Sequence, residues 1–396
     1  MSKKRFLIPV LILFCIIGVQ ANEVSAIWGR LYSKASSPSQ QFAIMTSIIE
    51  QKDKALEPVV INALDELLNE QRNISGTTNI YQYERLIEII IIALGDLKAI
   101  DASDQLVRAF RQLDNEYIKA KAIMAIGKSG ITDNIEELTT YLRNFNIGAL
   151  TLPDQQKLNT LVYALIYALE RLKSEVGFEP VFFASIGNYQ REVRERAKDA
   201  LLNMTEDPSA MIQSIIREYD DFEIKYEALL VEEQSSAGES GKELAAVEAI
   251  RQFLEKNPDN AREKNYRSSL LIMASNILSG LGAIGDEAIA YFNRILVDYT
   301  KYKLYSTDEI LAVLNAMSRN KSDANALALS NFLKFQTDQR EEGLALNDSR
   351  IVKTTIAAIG DTGNNAAMEE LLRISFSETW ESSVKRDANS AMEKLK

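Results

Sequence analysis

Carboxylates are the side chains in this sequence whose density could carry chemistry. Between Glu218 and Glu239 there are eight acids, Glu218, Asp220, Asp221, Glu223, Glu227, Glu232, Glu233 and Glu239, against Lys225 alone. That is a local charge of −7 over 22 residues. Such a segment suits a basic partner or a divalent cation. It contains no acid-x-acid-x-acid-Gly loop, so it is not an EF-hand. The plainer alternative is a solvated helix face running into a linker. Glu218, Asp220, Asp221, Glu223 and Glu227 are the candidate partner-binding residues. The rest of the inventory excludes more than it offers. The 396 residues include no histidine and a single cysteine, Cys15. Ser-His-Asp and Cys-His nucleophilic chemistry is therefore excluded, as are zinc sites built on His or Cys. No residue is assigned a catalytic, cofactor-binding or metal-binding role, and no cofactor is expected.

Three smaller groupings have structural explanations at hand. Arg191, Arg194, Arg196 and Lys198 interleave with Glu192, Glu195 and Asp199. An acidic protein with such a mixed cluster is not a nucleic-acid binder. Lys301-Tyr302-Lys303-Leu304-Tyr305 forms a basic, aromatic turn ahead of a helix starting at Ser306 or Thr307. Its aromatics can pin the loop to the core or face a glycan. Glu239-Ser240 resembles the Glu-Ser pair of lytic transglycosylases, but the Gly-Leu-Met-Gln-type segment that follows in that family is absent. A general acid also needs a buried, positioned carboxyl, and a Gly/Ser-rich stretch does not provide one.

The N-terminus has the form of an export signal. Lys3-Lys4-Arg5 precedes an apolar core from Phe6 to Val19, and Val19-Gln20-Ala21 offers cleavage after Ala21. The apolar run is too short for a stable spanning helix. Cys15 sits inside it, after the bulky Phe14 and before Ile16-Ile17, which does not fit a lipidation box. Cleavage would leave 42 basic and 56 acidic residues, a net charge of −14, and no cysteine. A cysteine-free exported protein fits a bacterial periplasm or cell surface better than a disulfide-bearing secreted protein.

These side chains must be positioned by helices. Hydrophobic residues make up 46% and charged residues 26%, with only 7 Pro and 17 Gly, which favours helix over many-turned β structure. Short helices are predicted near Ile27–Tyr32, from Pro38 with Phe42, Met45, Ile48 and Ile49 at helical spacing, and over Pro58–Leu68. Residues Arg72 to Asn79 read as a loop. The run Tyr83–Leu94 is apolar nearly all round, which predicts burial on two sides, with Gly95-Asp96 ending the helix. A further helix starts near Ser103.

One pattern returns along the chain. Ala93-Leu94-Gly95 recurs as Ala125-Ile126-Gly127, each glycine followed 11 residues later by Leu106 or Leu138. Ile118-Lys119-x-x-Ala122-x-x-Ala125-Ile126 is matched at every offset by Val193-Arg194-x-x-Ala197-x-x-Ala200-Leu201 and by Val384-Lys385-x-x-Ala388-x-x-Ala391-Met392. Ile224-Lys225-x-x-Ala228 matches in its first half, and Leu86 and Ile351 begin weaker copies. Alanines three apart make a flat strip that lets another helix approach closely. The glycine turn recurs at Ala358–Gly363 and Leu281–Asp286, where glycine is expected to supply a left-handed helix end.

A fixed period of this length marks a repeat architecture. The motif resembles the HEAT-repeat family, in particular the bacterial short-HEAT type shared with phycobilin-lyase-like proteins. The resemblance covers 81–145, 178–230 and 275–396 and implies stacked antiparallel helix pairs forming a superhelix that binds macromolecules. It implies no lyase activity. The expected fold is therefore an all-α, HEAT-like solenoid of about twenty helices, with solenoid segments 22–232 and 243–396 running on from one another and a polar linker or long loop at 233–242. The expected function is that of an exported, non-catalytic scaffold or adaptor. It would bind another envelope protein through a concave face formed by the second helix of each pair, notably the helices at 114–126 and 188–201. The alternatives are a carboxylate-based cell-wall glycan enzyme and a structural subunit of a secretion or motility machine. After signal cleavage no membrane-spanning segment is expected.

Overall fold

The computed structural model describes residues 23–70, 77–148, 155–344 and 348–395. The predicted signal segment, Cys15 and most of the predicted 72–79 loop lie outside the described residues; Thr77–Asn79 belong to a helix. Twenty α-helices and no strand occur among the described residues. They fall into two compact units, Met1–Thr205 and Glu206–Lys396.

The first unit holds α1 (23–33), α2 (Pro38–Glu50), α3 (Glu57–Glu70), α4 (Thr77–Leu97), α5 (Ser103–Gln112), α6 (Glu116–Ser129), α7 (Ile135–Gly148), α8 (Gln155–Arg171), α9 (Phe178–Ile186) and α10 (Arg191–Met204). Helices α2, α4, α6, α8 and α10 pack successively on one another in one layer. Helices α3 and α5, and α7 and α9, pair in a second layer. The second unit repeats the scheme with α11 (Ser209–Glu218), α12 (Phe222–Gln234), α13 (Glu239–Glu255), α14 (Ala261–Gly280), α15 (Asp286–Tyr302), α16 (Thr307–Met317), α17 (Asp323–Glu341), α18 (Ser349–Thr362), α19 (Met368–Phe376) and α20 (Ser382–Lys394). There the odd helices α11 to α19 form one layer and the even helices α12 to α20 the other. From α3 onward each helix thus packs on a sequence neighbour and on a next helix but one, which defines a HEAT-like α-solenoid.

Every copy of the alanine template falls on an even helix: α4, α6, α10, α12, α18 and α20. Ala122, Ala125, Ala197, Ala200, Ala388 and Ala391 are all buried. The isoleucine run behaves as its all-round apolarity predicts, since α4 lies against α2, α3 and α6, and Ile87, Ile90 and Ile91 are fully buried. Cap chemistry fixes the starts. Ser37 accepts the Gln40 N–H ahead of Pro38, and Ser306 with Glu309 forms a reciprocal capping box on α16.

The glycines require a correction. Gly95, Gly127 and Gly360 do not end their helices; they lie inside α4, α6 and α18. Their role is close approach. A Cβ on Gly95 would stand 3.0 Å from the Cα of Ala125, and one on Gly360 3.0 Å from the Cα of Ala391. One on Gly127 would stand 2.6 Å from the Cα of Ala168. Beside two of these contacts sits the same ion pair, Lys128–Asp96 and Lys394–Asp361, each at 2.7 Å. The left-handed positions are Gly130, Gly343 and Gly363, and also Lys52, Lys98, Lys173 and Lys303. At the end of α8, Lys173 N–H bonds the Glu170 carbonyl at 3.0 Å and Ser174 N–H bonds that of Leu169 at 3.1 Å, which satisfies the last carbonyls of the helix. A side chain at such a backbone angle costs about 1–2 kcal/mol. Lys173→Gly is therefore expected to stabilise the protein by about 0.5–1 kcal/mol, part of the gain being lost to glycine's freedom in the unfolded chain. A urea melt reads this directly, and an unchanged midpoint would count against strain at Lys173.

The predicted linker 233–242 is also corrected. Helix α12 runs to Gln234 and α13 starts at Glu239, which leaves only 235–238 outside helix. The small residues serve packing. Ser235 and Ala237 are buried, Ser236 Oγ donates to the Glu206 carbonyl at 3.0 Å, and a Cβ on Gly241 would meet Ser209 Oγ at 2.2 Å. The compact units divide at Thr205/Glu206 instead.

Candidate interaction groove

The acidic segment is largely committed to holding the second unit together. Glu218 accepts from Ser214 Oγ at 2.6 Å at the end of α11. Asp220 takes Lys256 Nζ at 2.7 Å, and that ammonium holds its carboxyl below the usual range. Asp221 is the N-cap of α12 and accepts the Glu223 N–H at 2.7 Å. Glu223 binds Arg262 at 2.5 Å and the Tyr266 hydroxyl at 2.9 Å. Glu227 is likewise engaged. Each of these five side chains thus already has a partner within the chain. The cations that answer Asp220 and Glu223 are Lys256, just after α13, and Arg262 in α14, which segment composition alone does not reveal. No group of three acids with the geometry to hold a metal ion occurs among the described residues.

Two members of the same stretch are buried. Lys225 is fully buried in α12; its Nζ donates to the Ile216 carbonyl at 2.5 Å, in the last turn of α11, and to Gln252 Oε1 at 3.1 Å on α13. Burial pulls its pKa down to about 8. Glu232 is fully buried too. Its Oε1 lies 2.7 Å from Ser209 Oγ, its Oε2 has no partner, and Ser209 Oγ lies 2.5 Å from Asp207 Oδ1. One hydroxyl proton can bridge only one of two carboxylates, so a second proton belongs on a carboxyl. Burial first, and then the neighbouring Asp207, push the Glu232 pKa up, whereas two hydrogen bonds from Ser209 pull Asp207 down. Both effects favour Glu232 over Asp207 as the carboxyl that takes it.

A folded pKa raised above the unfolded one makes the folded state the stronger proton binder. This contribution is greatest below the unfolded value, near pH 4.5, and is lost as pH rises through the folded pKa. Glu232→Gln removes the proton dependence. The fall in Tm between pH 4.5 and pH 7.5 is expected to be smaller in the variant than in the wild type. Equal slopes would show that Glu232 carries no such proton.

The basic, aromatic turn at 301–305 is divided: Lys303 and Tyr305 lie against neighbouring rings, whereas Tyr302 and Leu304 are exposed. Lys303 Nζ lies 4.8 Å from the Tyr299 ring centroid and 5.1 Å from that of Phe335, and Tyr305 stacks near Phe253. Arg194, at the basic position of the template, donates to the Tyr189 carbonyl at 2.8 Å.

An open surface lies elsewhere, on the even layer of the first unit. A groove of about 770 Å³ crosses α6, α8 and α10. Its floor is buried Ala120 and Val193, with Asn159 accepting the Gln190 N–H at 2.9 Å. Tyr117 and Tyr163 stand in it 48% and 38% exposed, beside Met124. The α10 side carries exposed Glu192, Glu195 and Asp199. Glu195 has a loose contact with Lys198 at 3.7 Å; Glu192 and Asp199 have no ion-pair partner among the described residues. The frame is rigid: Gly127 abuts Ala168 between α6 and α8, and Arg196 binds Glu170 between α10 and α8 while lying 5.7 Å over the Tyr167 ring. The groove falls on the two helices that the template placed on one face. Sequence reasoning missed the one between them. Leu158, Val162, Leu165 and Ile166 of α8 keep the template offsets with bulkier side chains in place of alanine.

The helix packing defines an α-solenoid of HEAT-like helix pairs. No family model matches the chain, and no curated protein matches it. Solved structures with a likeness to it include an engineered protein, at 15% identity, covering 93% of this chain and 98% of that one with a TM-score of 0.33. A structure concerned with a phosphorylation switch that controls the interaction between cadherin and β-catenin has 11% identity, with 94% of this chain and 90% of that one covered and a TM-score of 0.32. Importin β has 10% identity, covers 94% of this chain and 59% of that one, and scores 0.29. The solenoid fold follows from the helix packing itself.

Proposed function

We propose that this protein is a non-catalytic scaffold or adaptor of the bacterial cell envelope, exported by its first 21 residues, that binds a protein partner in the α6–α8–α10 groove. The observation that carries the reading is the groove itself. Exposed Tyr117 and Tyr163 and half-buried Met124 lie beside Glu192 and Asp199, which have no ion pair among the described residues, on a frame tied together by packing. Aromatic and Met side chains are the usual anchors of protein interfaces. The unpaired acids favour a partner segment carrying Lys or Arg among apolar residues and disfavour an acidic one. No helix among the described residues is long and apolar enough to cross a membrane.

Affinity purification from the native envelope, read by mass spectrometry, tests this. The double variant Glu192→Lys/Asp199→Lys is expected to lower recovery of the co-purifying partner about tenfold by placing like charges against it. Glu136→Lys on the exposed side of α7 leaves recovery unchanged. Equal recovery from both variants would remove the groove from the reading. The intact mass of the exported chain tests the cleavage after Ala21.

A further inference from the structure

A second cavity of about 850 Å³ lies in the first unit, between α2, the start of α3 and α4. The even-layer groove does not share its residues. Its walls are apolar: Phe42, Ile49, Leu56, Val60, Ile89 and Ile92. Ile92 is exposed there, although it belongs to the isoleucine run whose neighbours Ile90 and Ile91 are fully buried. The volume lies in the range of small-molecule sites, about 300–1,000 Å³, and such sites are mostly apolar with a few polar groups that fix orientation.

The polar groups at the rim are unequal. Asp53 is committed to the Ala55 N–H at 2.9 Å and Asp96 to Lys128 at 2.7 Å. Lys52 and Lys54 are exposed and make no ion pair among the described residues. Glu50 shares the rim and Asp53 keeps its charge while it caps Ala55, so the two ammoniums stand among carboxylates of which Glu50 alone has no partner among the described residues. Lys52 is held by a left-handed backbone, φ 49°, immediately after α2. The rim thus offers cationic hydrogen-bond donors at the edge of an apolar chamber.

We propose that this cavity binds a monomeric single-chain anionic amphiphile of the fatty-acid type, its acyl chain among Phe42, Ile49, Ile89 and Ile92 and its carboxylate at Lys52 and Lys54. Apolar burial supplies the affinity, and the two lysines orient the head. A neutral amphiphile of equal length enters the same chamber without that orientation.

Fluorescence of dansyl-undecanoate added to the full chain, below its micelle concentration, tests the proposal. The wild type is expected to bind it saturably at one site, with displacement by laurate and more weakly by dodecanol. Lys52→Glu/Lys54→Glu is expected to weaken laurate about tenfold while leaving dodecanol unchanged, since only the charged head meets the rim. Ile92→Asp is expected to abolish displacement by both. If circular dichroism shows that this variant unfolds, Ile92→Trp, which fills the chamber, takes its place. Absence of saturable binding by the wild type would overturn the proposal. So would laurate affinity unmoved by the lysine reversals, or association with anionic phospholipid vesicles in the absence of monomeric laurate binding. Partner recovery through the α6–α8–α10 groove is unaffected by any of these outcomes.

Discussion

Gly127→Ala is expected to destabilise the protein by about 2 kcal/mol, although alanine is the better helix former. In an open helix interior the change would stabilise by roughly 0.8–1 kcal/mol. At Gly127 the new Cβ would stand 2.6 Å from the Cα and 3.3 Å from the carbonyl oxygen of Ala168. Those are backbone atoms of α8, so no rotamer change relieves the clash, and two packed helices must separate. Overpacking of this kind costs about 1–3 kcal/mol, and here the separation also loosens the neighbouring contacts. Gly29, in α1, has nothing within 4 Å of its would-be Cβ. Gly29→Ala should therefore change stability in the opposite direction. Gly95→Ala and Gly360→Ala, with nearest approaches of 3.0 Å, fall between the two. Urea melts of the four variants give the order, and a stabilising Gly127→Ala would sink the close-approach reading.

The largest expected loss is at Lys225. Lys225→Ala removes the donor to the Ile216 carbonyl and to Gln252 Oε1 and leaves a cavity the length of the lysine stem. Each acceptor left unpaired costs about 1–3 kcal/mol. Relief from burying the amine offsets part of this, and the net cost is about 3 kcal/mol. Lys225→Met keeps the stem and should cost about 1 kcal/mol, so the gap between the two variants measures packing. The pH dependence has a definite sign. The folded pKa, about 8, lies below the ordinary lysine value. The folded state is therefore the weaker proton binder at this site. The penalty is fully present below pH 8 and is relieved as pH rises toward the unfolded value near 10.4. Between pH 7 and pH 10 the wild type should gain stability relative to Lys225→Met; parallel curves would mean that Lys225 titrates normally.

The helical layers were legible in the sequence because their determinants are local. Alanine spacing marks the face where helices meet, and all six template copies lie on even helices. Pro38 and Ser306 read as helix starts, and the structure adds the caps at Ser37 and at Ser306 with Glu309. What failed was context. Glycine is ambiguous between a left-handed turn and a close contact, and only the position of Ala125, Ala168 or Ala391 across the interface decides. The stretch 233–242 looked like a linker because small polar residues are common in flexible chain, yet Gly241 is small because Ser209 lies against it. The acids at 218–227 looked unneutralised because their cations lie further along, at Lys256 and Arg262. The groove was legible only in part. Its flanking helices carry the template, but Tyr163 sits on α8, where bulky side chains hide the repeat.

Stacking each helix on its neighbour and its next-but-one has a kinetic consequence. Arg111 and Glu137 are 26 residues apart in sequence, Lys394 and Asp361 are 33, and Arg108 and Asp65 are 43. Closing a loop of that length costs little entropy, and no interaction within a unit has to wait for distant chain ends to meet. Folding can therefore begin at any adjacent set of helices and spread as a zipper, and opening under mild denaturant should start at a unit's terminal helices and move inward. Amide exchange would record this as protection that declines from α6 toward α2, and from α14–α16 toward α20.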